Sequence, residues 1–220
     1  ALTNLGLMLQ KDERAGEAVT LLRRLVELRP TSPEAYNNLG LALLEARRAG
    51  EAVMMLRQAA RLKPHYGEAN NNLAKALFNL GQMREAESRF LAALHEQPQS
   101  AELHANLGTV LQATGRHDEA LACFDLALMF DPQCVTAHYN RSMSLLSQGR
   151  WLEGWSDYEY RWGLGGTARR QYRQPTWDGS SLAGRTIMVW AEQGLGDMIH
   201  FVRYAQVLKQ QAACVILEVP

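Results

Sequence analysis

The chain has 220 residues, and its lysine plus arginine and aspartate plus glutamate balance at 23 each. A neutral chain sets up no long-range field for nucleic acid or an anionic membrane, and no apolar run approaches the ~18 residues that cross a bilayer. Three scattered cysteines (Cys123, Cys134, Cys214) lack any Cys-x-x-Cys spacing, so they are expected to be reduced thiols of a cytoplasmic protein rather than a disulfide framework or a metal site.

One pattern organises the chain as far as Trp162. The triplet Asn4-Leu5-Gly6 returns every 34 residues as Asn38-Leu39-Gly40, Asn72-Leu73-Ala74 and Asn106-Leu107-Gly108, and in degraded form as Asn140-Arg141-Ser142. Pro30, Pro64, Pro98 and Pro132 keep the same beat, as do the pairs Glu17-Ala18, Glu51-Ala52, Glu85-Ala86 and Glu119-Ala120. A fixed period of this size marks a helical repeat array, in which each unit buries its apolar face only by stacking on its neighbours. The expected units are a partial repeat over 1–30, full repeats over 31–64, 65–98 and 99–132, and a divergent capping repeat over 133–162.

Each unit reads as two antiparallel helices. In the second copy Ser32-Pro33-Glu34 supplies an N-cap, a proline at the first helical position and an acidic first turn. Tyr36, Leu39, Gly40 and Leu43 then share one helical face, and Ala49-Gly50 is expected to break the run. A second amphipathic helix with Ala52, Leu56, Ala59 and Leu62 stops ahead of Pro64, because the residue before a proline disfavours helical backbone. Gly81, Gly115 and Gly149 are assigned the same inter-helix break in later copies. In the fifth copy Arg141, Gly154 and Arg161 replace Leu, Ala and Ala, while Trp151, Trp155, Tyr158 and Trp162, spaced 4, 3 and 4, predict a single aromatic stripe that buries against whatever follows.

Residues 163–185 are rich in glycine and carry Arg169, Arg170 and Arg173, which is a solvated connector. Beyond it the period becomes strand-like. Thr186–Ala191 predicts a strand, Gln193-Gly-Leu-Gly196 a tight turn, Asp197–Gln211 an amphipathic helix using Met198, Val202, Ala205 and Leu208, and Cys214–Val219 a second strand. Strand, helix, strand is a βαβ unit, the start of an α/β domain over 186–220. Two strands are too few to stand alone, and the open edge of the second leaves self-association through this segment open. The chain starts at Ala1 inside a helical repeat and stops within a strand, so it is expected to be part of a longer protein.

Taken together the repeat residues resemble the tetratricopeptide repeat. The second copy supplies Tyr36, Leu39, Gly40, Leu43, Ala52, Leu56, Ala59 and Pro64 at that family's positions, and the fourth His104, Leu107, Gly108, Leu111, Ala120, Phe124, Ala127 and Pro132. The resemblance implies a mostly α fold, a right-handed superhelix whose first helices line a concave groove for a protein or extended peptide. On helical geometry Asn38 points ~150° from the packing face, so Asn4, Asn38, Asn72, Asn106 and Asn140 are expected to form a ladder down that groove. Asparagine costs ~0.5 kcal/mol against alanine in a helix, so five copies ask for a reason, and an amide offers the donor and acceptor that a peptide backbone needs. The alternative reading is that each amide bonds to the adjacent repeat. The array also resembles that of O-linked N-acetylglucosamine transferase, whose asparagines at this position hold peptide backbone.

Gly194 and Gly196 sit where a phosphate could meet a helix N-terminus, yet Ile199 stands where the dinucleotide fingerprint needs its third glycine. The stretch Trp190–Tyr204, with its Gly196-Asp197-Met198-Ile199, is similar to the first βα turn of heptosyltransferase-like glycosyltransferases of the GT-B, Rossmann-like fold found after such arrays in bacteria. That resemblance implies Asp197 as general base toward an acceptor hydroxyl, with Glu192 and Gln193 lining the cleft. No cofactor is expected for this chain, a nucleotide sugar belonging only to a full-length parent, and no metal. The leading reading is a peptide-holding array that delivers acceptors to a glycosyltransferase domain. The alternative is a non-catalytic adaptor with the C-terminal segment as cap.

Overall fold

The computed structural model describes residues 15–164, 172–190, 199 and 202–218. The chain falls into two compact units, Ala1–Ala168 and Arg169–Pro220. The first unit is a file of antiparallel helices: α1 (Ala15–Leu28), α2 (Pro33–Glu45), α3 (Ala49–Leu62), α4 (Gly67–Asn79), α5 (Met83–Glu96), α6 (Ala101–Ala113), α7 (His117–Phe130), α8 (Val135–Ser147) and α9 (Trp151–Tyr158), closed by a 3-10 turn (Glu159–Gly163). Each even-numbered helix packs against the odd-numbered helices before and after it, so every repeat leans on the next.

Local chemistry sets the helix limits. The Ser32 hydroxyl accepts from the Ala35 N–H at 3.2 Å and Pro33 opens α2; Ser100 caps α6 by accepting from Leu103 at 3.3 Å. Within a pair the helices nearly touch. A Cβ placed on Gly40 would stand 2.5 Å from Leu56 Cγ, and one on Gly108 2.6 Å from Phe124 Cε1. Ala52, Ala59, Ala86, Ala93, Ala120 and Ala127 line the facing helices and are wholly buried. Small residues recur here because close-packed helices leave no volume for anything else.

The turn between paired helices corrects one expectation. Ala49 and Gly50 do not break the second repeat; both lie inside α3. The break falls at Arg47, whose φ of 57° places it in the left-handed region, and Gly81, Gly115 and Gly149 occupy the same repeat position with φ of 74°, 78° and 77°. Three copies meet this backbone with the residue that tolerates it, and the second copy forces an arginine into it.

The repeat position that holds Tyr36, Asn70, His104 and His138 has a shared task in the last three of them. Asn70 donates to the Pro64 carbonyl at 3.1 Å, while His104 and His138 direct Nε2 at the carbonyls of Pro98 and Pro132, 2.9 and 3.0 Å away. A carbonyl only accepts, so Nε2 carries a hydrogen in both histidines. The side chain thereby pins the loop that enters each repeat.

The fifth repeat differs for physical reasons. Arg141 replaces leucine because it bonds the buried Asp157 through Nε at 2.6 Å and reaches Asp125 of α7 through Nη1 at 2.7 Å. Gly154 replaces alanine because α9 crosses closer: a Cβ there would lie 2.7 Å from Leu146 Cδ2. The expected aromatic stripe does not form as one helical face. The α-helix ends at Tyr158, Trp162 falls in the 3-10 turn, and the Arg161 guanidinium lies over both rings at 4.6 and 4.5 Å. Trp151 and Trp155 are 59 % and 55 % exposed instead of buried.

In the second unit β1 (Thr186–Trp190) and β2 (Cys214–Glu218) pair in parallel, Thr186 beside Cys214 through to Trp190 beside Glu218, with α10 (Tyr204–Gln211) between them in sequence. Val202 and Arg203 form a turn ahead of α10, so the helix expected over 197–211 is not continuous; Val202 is exposed, and Ala205 and Leu208 are half-buried. The Tyr172 hydroxyl donates to the Glu218 carboxylate, and its ring lies near Trp190. Met188 and Ile216 leave one face of the sheet open. This unit is a small two-stranded parallel sheet that follows a mostly helical array in the chain.

Candidate functional site at the junctions of the first helices

The ladder asparagines do not stand out from their helices. Asn72, Asn106 and Asn140 each turn toward the preceding first helix, the first two meeting an asparagine amide and the third a threonine hydroxyl. Asn72 on α4 is 6 % exposed and donates to Asn37 Oδ1 on α2 at 2.9 Å. Asn37, fully buried, returns a bond by donating to Glu68 Oε1 at 2.9 Å, so it is clipped twice onto α4.

At the next junction Asn106 on α6 donates to Asn71 Oδ1 at 3.4 Å, and Lys75 reaches Glu102 at 2.6 Å. The Lys75 bond, with lesser help from Asn71 and Asn106, holds the Glu102 carboxyl below the usual carboxylate range against the opposing effect of burial. At the last junction Asn140 on α8 donates to Thr109 Oγ1 at 2.8 Å, and Gln112 donates to the Asn140 carbonyl and to Ser144 Oγ at 2.9 and 3.0 Å. Asn38 is half-buried on α2; Asn4, its counterpart one repeat earlier, lies outside the described residues.

These contacts consume one N–H of each of the three amides. The side-chain carbonyl oxygens of Asn72, Asn106 and Asn140 keep acceptor capacity. Glu34, Glu68 and Glu102 sit one turn ahead of the ladder, at the start of their helices. Tyr66 stands between two of them. Its hydroxyl donates to Glu68 at 3.3 Å, and burial first, then the charges of Glu68 and Glu34, push the phenol up to about 12. The face therefore carries amides and carboxylates at a constant repeat position, which suits hydrogen bonding to backbone amides.

Sequence reasoning missed Asn37 and Asn71, the residues that receive the ladder bonds. The signal was the doubled asparagine of Asn37-Asn38 and Asn71-Asn72, two poor helix formers side by side in helix interiors. Gly194, Gly196 and Asp197, with Glu192, Gln193, Arg169 and Arg170, lie outside the described residues, whereas Arg173 is exposed. Among the described residues no cluster of histidine, cysteine, aspartate or glutamate could hold a metal ion, and no helix is long and apolar enough to cross a membrane.

Comparison with known proteins agrees with the array. Family models described as tetratricopeptide repeat match residues 3–67, 43–104 and 85–146. No curated protein matches the sequence. Among solved structures, PilF of Pseudomonas aeruginosa superposes with a TM-score of 0.69 at 18 % identity, covering 95 % of this chain and 83 % of that one. MamA of Desulfovibrio magneticus gives 0.64 at 17 % identity over 73 % and 89 % of the two chains. YrrB, described as a protein of this repeat class with an unusual peptide-binding site, gives 0.60 at 21 % identity over 74 % and 84 %. At these identities the likeness is one of fold.

Proposed function

Because the chain belongs to the tetratricopeptide-repeat family, whose models together match most of its length, we propose that it is a protein-binding scaffold that holds an extended peptide along the ladder face. The observation that carries the reading is the ladder itself: amides at one repeat position, buried at Asn72 and half-buried at Asn38, Asn106 and Asn140, with a first-turn carboxylate one turn ahead of Asn38, Asn72 and Asn106. An extended backbone presents a donor and an acceptor at regular intervals, and a regular row of amides matches it without reading side chains.

The experiment is an immobilised peptide library probed with the full chain, wild type against the triple variant Asn38→Ala, Asn72→Ala, Asn106→Ala. Loss of most binding at unchanged helical circular dichroism supports the groove assignment. Unchanged affinity would sink it, and would leave the second reading, which the observed bonds favour specifically. On that reading the amides only brace consecutive first helices, the array is an adaptor, and the triple variant loses thermal stability without losing any ligand.

The C-terminal unit extends the first reading. Parallel β1 and β2 with α10 between them are compatible with the opening of a heptosyltransferase-like domain, and Trp190–Tyr204 carries the resemblance. On it Asp197 is the general base and Gly194 and Gly196 shape its turn, so the array would present an acceptor protein to a glycosyltransferase. Calorimetry of this chain with nucleotide sugars is expected to show no heat, since the resemblance spans only the acceptor-side turn; measurable binding overturns that assignment.

A further inference from the structure

Among the side chains that pin the entry loops, His138 stands apart because both of its ring nitrogens are engaged. Nε2 lies 3.0 Å from the Pro132 carbonyl, and Nδ1 lies 2.9 Å from Oδ1 of the buried Asp157 on α9. Its ring stacks on Tyr160 of the 3-10 turn, with centroids 3.6 Å apart and planes 12° from parallel. His104, one period earlier, makes the same bond to Pro98, but its buried Nδ1 has no hydrogen-bond partner among the described residues. The difference lies in a single repeat position. Asp157 stands where Cys123 stands one period of 34 residues earlier, and Arg89 two periods earlier.

Two acceptors facing one imidazole fix its proton count. The Pro132 carbonyl can only accept. Burial works to raise the Asp157 carboxyl, but the bonds from Arg141 and His138 hold it below its ordinary value, so it is a carboxylate and also only accepts. Each ring nitrogen therefore needs a hydrogen, and the two bonds coexist only in the imidazolium. Stacking on Tyr160 favours the same form, because an aromatic face attracts a cation. A neutral His138 must give up one side. With its hydrogen on Nε2, the Nδ1 lone pair faces the carboxylate; with its hydrogen on Nδ1, the Nε2 lone pair faces the carbonyl. His104, with one acceptor, is satisfied by the neutral ring.

The other charges on the elements around His138 have partners of their own. On α8 Arg141 bonds Asp157 from the other side, which opposes a second cation there, and reaches Asp125 of α7. Glu159 and Arg161 of the 3-10 turn pair at 2.9 Å, Glu153 of α9 pairs with Arg150, and Asp131 beside Pro132 accepts from the Gln133 N–H. Glu102 of α6 is bonded by Lys75, and Glu119 of α7 by Arg116, while His117 and Asp118 of α7 meet Ser144 and Gln148 at the far end of α8. The thiols of Cys134 and Cys123 complete the titratable groups at this end.

We propose that His138 is a proton-controlled clasp of the terminal repeat: charged, it ties the loop that enters the repeat to α9 and the 3-10 turn, and neutral, it lets one of the two go. The bonds need the charged ring, so their contribution is complete on the acid side of the ring's titration and is lost as pH rises through it. The sign is opposite to that of the Asp157 carboxylate, whose contribution is lost on the acid side.

The test is NMR of the full chain labelled at the histidine ring nitrogens, titrated from about pH 5.5 to about pH 9, with backbone amide exchange followed over the same span. Both His138 nitrogens are expected to carry hydrogen at the acid end. As the ring loses its proton, the amides of α9 and the 3-10 turn are expected to lose about ten-fold in protection beyond the intrinsic pH dependence, the loss of one charge-assisted bond. His138→Gln, whose amide can keep the Pro132 bond as Asn70 keeps the Pro64 bond, is expected to show no such step, and circular dichroism checks its fold. Protection that stays level in the wild type while the ring titrates overturns the proposal, whether or not the variant folds. So does a ring that keeps one charge state throughout, or a step of equal size in His138→Gln.

Discussion

Replacing Arg47 with glycine is expected to stabilise the array, and the size of the effect follows from the turn it occupies. Arg47 holds φ of 57°, where a side chain costs about 1–2 kcal/mol through the clash of Cβ with the backbone. Glycine removes that cost but loosens the unfolded chain, giving back roughly 0.5–1 kcal/mol. Arg47 is exposed and enters no ion pair seen among the described residues, so no contact is lost. The net gain is about 0.5–1 kcal/mol, which for a chain of this length moves the melting temperature up by roughly 1–4 °C. Thermal unfolding followed by circular dichroism at 222 nm measures it. Gly115→Arg is the reciprocal change at φ of 78° and is expected to lower the midpoint. A lower midpoint for Arg47→Gly, or none of the expected loss for Gly115→Arg, would refute the strain argument.

Gly108→Ala is expected to cost about 1 kcal/mol in urea unfolding, because its Cβ would meet the buried Phe124 ring at 2.6 Å while alanine recovers helix propensity; Ala74, which the third repeat carries at this position, keeps the cost at the low end. Asp157→Asn is expected to cost about 3 kcal/mol at neutral pH, low for a broken buried pair because Arg141 keeps Asp125. Burial alone would raise the Asp157 carboxyl, but the Arg141 and His138 bonds outweigh it and hold it below its ordinary value. A carboxyl depressed by folding contributes above its unfolded pKa of about 3.9, and that contribution fades as pH falls through the folded value, so wild type loses stability below about pH 4 and the asparagine variant lacks this part of the acid limb.

Much of the array was legible because its information is local and repeated. The Ser32 and Ser100 caps, the leucine faces and the small residues at Gly40, Gly108 and Ala120 are each set by contacts within one helix pair, and repetition averages away the exceptions. What was not legible lies between repeats. The period of 3.6 shows that Asn72 leaves the packing face of its own helix pair, but not that the neighbouring first helix stands where it points. Asn72 is buried at a junction whose other half, Asn37, is 35 residues away. The left-handed turn at Arg47 was obscured because an arginine gives no turn signal, and Gly50 nearby drew the break to itself. The aromatic stripe failed for a related reason: spacing assumes that the helix persists, and the α-helix gives way to a 3-10 turn after Tyr158.

The junctions also explain why the ladder residue is constant while its partner is not. Asn72 meets an amide, Asn106 an amide beside a lysine–glutamate pair, and Asn140 a hydroxyl. All three partners offer an acceptor oxygen, and the asparagine amide donates to each of them on a short stem with little entropy to lose. The varied partners then do what repetition alone cannot. Apolar stripes of Ala, Leu and Ala on successive first helices are nearly interchangeable, so they fix stacking without fixing which repeat stacks on which. A closed clip such as Asn72–Asn37–Glu68 can form only between its own two helices, and a slipped register would bury amides and carboxylates without partners, at roughly 1–3 kcal/mol each.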